Sequence, residues 1–133
     1  MEAIEQIAEA LVGRDRGALR EAVWKVNRDY AAAPLLAHAL LEDWHDSHED
    51  IVFELGLIGN PHVVESIAKA ANMQFESLVQ WGNVHEFQRK CAYALANIGT
   101  EESRLALENF CKASDPELAK FGQEGLQHWS PIQ

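Results

Sequence analysis

Two His-Glu dipeptides in this 133-residue chain set an imidazole beside a glutamate carboxylate: His48-Glu49 and His85-Glu86. Both side chains are donor types that iron accepts, so a recurring His-Glu unit has the clearest chemical reading in the sequence. Each pair also falls where a helix should begin. A carboxylate there favours the helix dipole without any ligand. The other histidines, His38, His45, His62 and His128, have no ligand spacing. The chain has no Cys-x-x-Cys and no glycine-rich phosphate loop, and no serine or cysteine has a histidine placed beside it by sequence.

The second pattern is charge. The formal net charge is −10. A phosphate-binding surface needs clustered Lys and Arg to release counterions, so nucleic acid is not the expected partner. From Asp29 to Ala68 there is no Lys or Arg, yet Asp29, Glu42, Asp43, Asp46, Glu49, Asp50, Glu54 and Glu65 all lie there. Six of these fall within Glu42–Glu54, around Trp44. One reading is a solvated face that keeps a small protein in solution. The other is a docking surface for a basic protein, where charge speeds encounter and the ring supplies a buried anchor. On that reading Glu42, Asp43, Trp44, Asp46, Glu49, Asp50, Glu54 and Glu86 meet the partner, with Trp81 as a second anchor.

These residues must be positioned by helices. Apolar residues recur at helical spacing almost throughout, with no sustained alternation of period two. Ile4, Ile7, Ala8 and Leu11 form a stripe closed by Gly13. Asp15 can cap a helix carrying Leu19, Val23, Val26 and Tyr30. Pro34 opens the next, with Leu36, Leu40, Leu41 and Trp44, and Ser47 can cap one with Ile51, Leu55 and Ile58. Gly59-Asn60-Pro61 separates that helix from one with Val64, Ile67, Ala68 and Ala71. Residues 75–83 read as a short helical turn or loop insertion. Phe87, Cys91, Ala94, Leu95 and Ile98 then run to Gly99, Thr100 opens a helix with Leu107, Phe110 and Cys111, and Asp115-Pro116 opens the last, with Leu118, Phe121, Leu126 and Trp129. Cys91 and Cys111 are expected to face inward as inert apolar residues. The length and 47% apolar content suit a single domain over 1–133 that needs no metal or disulfide to fold. No apolar run reaches the roughly 18 residues of a membrane span, and the acidic N-terminus lacks the basic region of a secretory signal. A membrane is therefore not an expected partner, and the expected location is the cytoplasm.

The pattern repeats. Phe53-Glu54-Leu55-Gly56-Leu57-Ile58-Gly59, moved forward by forty, lands on Tyr93-Ala94-Leu95-Ala96-Asn97-Ile98-Gly99, and Ile67 and Ala71 land on Leu107 and Cys111. A helix, a tight glycine turn and a second helix in about 40 residues is the period of HEAT and armadillo repeats. "FELGLIGNPHVVESIAKAA" and "AYALANIGTEESRLALENF" resemble the short bacterial HEAT-like repeat, over about residues 47–129. The resemblance implies an all-α fold: a right-handed α-solenoid of three to four helix pairs. In it 1–12 is an N-terminal cap helix, 15–46 a degenerate pair, 47–74 and 84–113 repeat pairs, and 115–129 a C-terminal helix.

Such repeats serve scaffolds, inhibitors, lyases and a few enzymes, so the fold alone names no activity. The His-Glu pairs resemble those of deoxyhypusine hydroxylase, a HEAT-repeat enzyme whose dipeptides hold a di-iron centre. That family uses four dipeptides; this chain has two, thirty-seven residues apart, so in the forty-residue register His85 matches His45 rather than His48. Bilin lyases share the short repeat, but nothing here selects a tetrapyrrole. HEAT-like DNA glycosylases present basic grooves, and this chain has the opposite charge. The expected function is a non-catalytic protein-binding module with no cofactor and no metal. Its most concrete form is a small acidic immunity protein that blocks the active surface of a cationic toxin such as a nuclease. A metal hydroxylase or lyase-like enzyme and a scaffold or assembly factor are the alternatives.

Overall fold

The structure, a computed structural model, describes residues 2–131. Among the described residues nine α-helices follow one another and no strand occurs: α1 (Ala3–Gly13), α2 (Arg16–Trp24), α3 (Ala33–Leu40), α4 (His48–Ile58), α5 (Val64–Ala70), α6 (Glu76–Trp81), α7 (Val84–Ile98), α8 (Glu101–Cys111) and α9 (Pro116–His128). Helix starts follow from capping chemistry. Asp15 accepts from the Ala18 N–H, Asp115 from the Glu117 N–H, and Thr100 and Ser103 form a reciprocal capping box. The two repeat turns end on Gly59 and Gly99 at φ 73° and 71°, the left-handed conformation that a residue with a Cβ resists.

The helices form two layers. α2 packs on α4, α4 on α7 and α7 on α9; behind them α1 packs on α3, α3 on α5 and α5 on α8. Apolar stripes from both layers meet in one continuous core that runs from Ile7 to Phe121. This is the HEAT-like α-solenoid that the forty-residue repeat implies. Glycine allows the closest approach between layers. A Cβ on Gly122 of α9 would lie 2.7 Å from Phe110 Cβ and 2.8 Å from the Cys111 backbone nitrogen.

Several local expectations are corrected. α2 stops at Trp24, so Tyr30 leaves the stripe and is exposed, while Val26 stays buried. Asn27 and Arg28 stand at φ 50° and 62°, and the Asp29 N–H donates to Val26 O, which makes a tight turn of the mirror-image type. α3 ends at Leu40, leaving Leu41 and Trp44 outside it. Ser47 precedes α4 without capping it: its buried hydroxyl has no hydrogen-bond partner in the protein. Of the short helical turn or loop insertion expected over 75–83, the structure shows the helical form, α6, and Phe75 just before it is buried. Cys91 is fully buried and burial pushes its thiol pKa up, whereas Cys111 is only half-buried.

Candidate functional site

The acidic segment is tied into the fold. Three cross-links, each spanning 26 residues, join α2 and its following turn to α4 and to Asp46 in the loop just before it. Arg20 Nη2 donates to both carboxylate oxygens of Asp46, at 2.9 and 2.8 Å. Trp24 Nε1 donates to Asp50 Oδ2 at 3.2 Å, and the Arg28 backbone N–H donates to Glu54 Oε1 at 2.8 Å. Residues four apart share one face of a helix, so Arg20 and Trp24 of α2 face the same side, as do Asp50 and Glu54 of α4, and Asp46 in the preceding loop keeps the same interval. The tight turn at Asn27–Arg28 aims the last N–H. A left-handed arginine costs roughly 1–2 kcal/mol, so the surrounding contacts must hold it there.

The other predicted carboxylates also have partners. Glu42 Oε1 accepts from Trp44 Nε1 at 2.9 Å, and Asp43 Oδ1 accepts from the Glu76 N–H at the start of α6, also at 2.9 Å. Glu49 meets Lys90 Nζ at 3.4 Å, and Glu86 meets Arg89 at 3.7 Å. The run Glu42–Glu54 is thus not a row of idle carboxylates. Trp44 within the run partners Glu42, and the other partners come from elsewhere in the chain, including the cations Arg20 and Lys90. These links are partly exposed, so each contributes little to stability, and the segment keeps a net negative charge.

Trp44 is half-buried against the core, with its ring edge-on to His45 at 5.0 Å. Trp81 on α6 is 73% exposed. The sequence reading missed a different row of rings across the outer face of the first layer. Trp24 on α2 is 69% exposed and Phe53 on α4 59% exposed. Tyr93 on α7 is half-buried and meets His128 of α9 edge-on at 5.0 Å. Phe53 and Tyr93 line a groove of about 210 Å³ floored by Gly56 and Ala94 and rimmed by Asn97, Glu86, Arg89 and Lys90. Gly56 lets α4 and α7 approach closely beneath the groove; a Cβ there would lie 3.0 Å from Ala94 Cα. The forty-residue match of Phe53 with Tyr93 was visible, as was their position off the buried stripe.

The two His-Glu pairs are not brought together. His48 lies fully buried in a column of rings, stacked 4.1 Å from His45 and 3.8 Å from Phe75, with Phe87 edge-on. His45 Nδ1 accepts from the Ser47 N–H at 3.0 Å, so its Nε2 carries the proton and donates to Ala39 O at 2.7 Å. His48 Nε2 donates to Glu42 O at 2.6 Å, leaving Nδ1 buried with no hydrogen-bond partner in the protein. Burial, opposed by nearby carboxylates, pushes both pKa values down, that of His48 to about 4. Both rings are therefore neutral structural groups near pH 7. His85 is exposed on α7, with Nδ1 at 3.1 Å from Gln88 Oε1. Among the described residues no group of three or more His, Cys, Asp or Glu side chains is placed to hold a metal ion.

Residues 87–112, from α7 into α8, match the family described as PBS lyase HEAT-like repeat. No curated protein and no solved structure gives a significant match. Among the described residues no helix is long and apolar enough to cross a membrane.

Proposed function

We propose that this HEAT-like repeat chain is a non-catalytic protein-binding module that holds a basic partner on the outer face of α2, α4 and α7. The row of Trp24, Phe53 and Tyr93 carries this reading. Large rings left in water beside a rigid groove are the usual energetic centre of an interface, and the surrounding charges form its rim. The chain's net charge of −10 favours a partner of opposite sign and speeds its arrival. In its most concrete form the chain is a small acidic immunity protein that covers the active surface of a cationic toxin in the cytoplasm. Its size and charge support that form.

The test is capture of the partner from the source cell, or co-expression with the neighbouring gene product, followed by affinity measurement with Phe53→Arg. Phe53 is exposed, so the variant should fold like the parent. It puts a cation and a longer side chain over the groove, and affinity for a basic partner should fall at least about tenfold. Unchanged affinity would sink the proposal. A partner with no toxic activity would keep the binding face and remove the immunity form.

A further inference from the structure

The cross-links from α2 and its turn to the stretch Asp46–Glu54 are uneven. The first is a complete ion pair, Arg20 with Asp46. In the second a neutral indole N–H stands where the first has a guanidinium, so Asp50 accepts one hydrogen bond and gains no cation. In the third Glu54 accepts a backbone N–H. Among the described residues neither Asp50 nor Glu54 forms an ion pair. Beside them the Trp24 ring is 69% exposed and held by its bond to Asp50. A pinned indole face next to two uncompensated carboxylates attracts a cation twice, through the ring quadrupole and through charge. A guanidinium suits it best, because its flat face stacks on the indole while its edge donates to a carboxylate.

We propose that Trp24, Asp50 and Glu54 form a receiving site for an arginine side chain of the basic partner, which supplies the cation missing from the second cross-link. The site deepens the docking reading and rests on it. It fixes the chemistry of one contact: an arginine placed to lie beside α2 while the rest of the partner spans the Phe53–Tyr93 groove. A second copy of this chain is disfavoured as the occupant, because each copy carries a charge of −10.

The probe is the peptide acetyl-Arg-Gly-Arg-Gly-Arg-amide, compared with the same peptide carrying neutral citrulline at each arginine. Binding is read by the indole N–H resonance of Trp24, identified by its loss in Trp24→Phe. The arginine peptide should shift this resonance, and the citrulline peptide should leave it in place. By titration calorimetry, which needs no indole signal, Trp24→Ala and Asp50→Asn should each weaken binding of the arginine peptide at least about fivefold. Trp24→Phe keeps a π face and should bind more tightly than Trp24→Ala. An equal shift with citrulline, or undiminished binding by Trp24→Ala, overturns the site. If the site fails while Phe53→Arg still abolishes partner capture, the docking face stands without an arginine site. If Phe53→Arg is also without effect, both readings fall.

Discussion

α4 and α7 occupy equivalent places in the repeat, yet they begin differently. Both end on isoleucine followed by a left-handed glycine, forty residues apart. α7 has 15 residues and α4 has 11, so α4 lacks one turn at its start. Val84 and His85 lie in the first turn of α7; their counterparts Trp44 and His45 lie in a loop. A column of rings fills the space of the missing turn, with His45 and His48 stacked under Phe75 from the segment before α6. The acidic run therefore lies where the repeat departs from its own pattern. A repeat can keep its register and its closing turn while giving up its first turn to hold an inserted element, here α6.

The comparison breaks most visibly at Phe75. Phe75→Ala empties the column and should cost about 3–5 kcal/mol in urea or thermal unfolding. Val84→Ala, in the turn that α7 keeps, is half-buried and should cost only about 1 kcal/mol. Similar losses at the two sites would mean that the column is not what replaces the missing turn.

Acid should expose the same asymmetry. Burial, helped by the neighbouring His45, lowers the His48 pKa to about 4 in the folded chain, against 6.5 for an ordinary histidine. The unfolded chain therefore takes up this proton at higher pH than the folded chain. The stability tied to neutral His48 is complete above about pH 6.5 and is lost as pH falls towards 4, by roughly 3 kcal/mol. His45, shifted in the same direction, adds to the slope. In urea titrations across this window, His48→Phe should keep the stack and flatten the curve. An equally steep curve in that variant would remove His48 as the source.

The smallest effect tests what the two repeats share. Gly59→Ala and Gly99→Ala each force a methyl group onto a left-handed residue. Each should cost about 1 kcal/mol, with values that agree closely between the two sites. A marked inequality would show that the closing turns are less equivalent than their φ angles.

Much of this architecture was legible in the chain. The stripes of α4, α5, α7 and α8 follow the 3.6-residue period, and Gly59 and Gly99 mark the turns, so the repeat could be read directly. The start of α4 was not legible. Loss of its first turn depends on Phe75, which reaches His48 only through tertiary packing. The links from Arg20, Trp24 and Arg28 to the stretch Asp46–Glu54 span 26 residues, an interval set by the short α2, its tight turn and α3 rather than by the repeat. The acidic run was visible as charge, but its partners were not. Trp24 stands off the stripe of Leu19, Val23 and Val26, so its exposure followed from the helical period, but its bond to Asp50 depends on tertiary packing.

The left-handed turn at Asn27–Arg28 and the cross-links it completes also bear on how the molecule opens. A solenoid is close to one-dimensional: each helix pair touches only its neighbours, so the ends can fray separately. Three polar links staple α2 and its turn to α4 and the loop just before it along the outside, in addition to the apolar contacts beneath. For the N-terminal pair to peel away, all three must break with the apolar seam. Hydrogen exchange in α2 should therefore track that of α4 more closely than distance from the chain end alone would suggest.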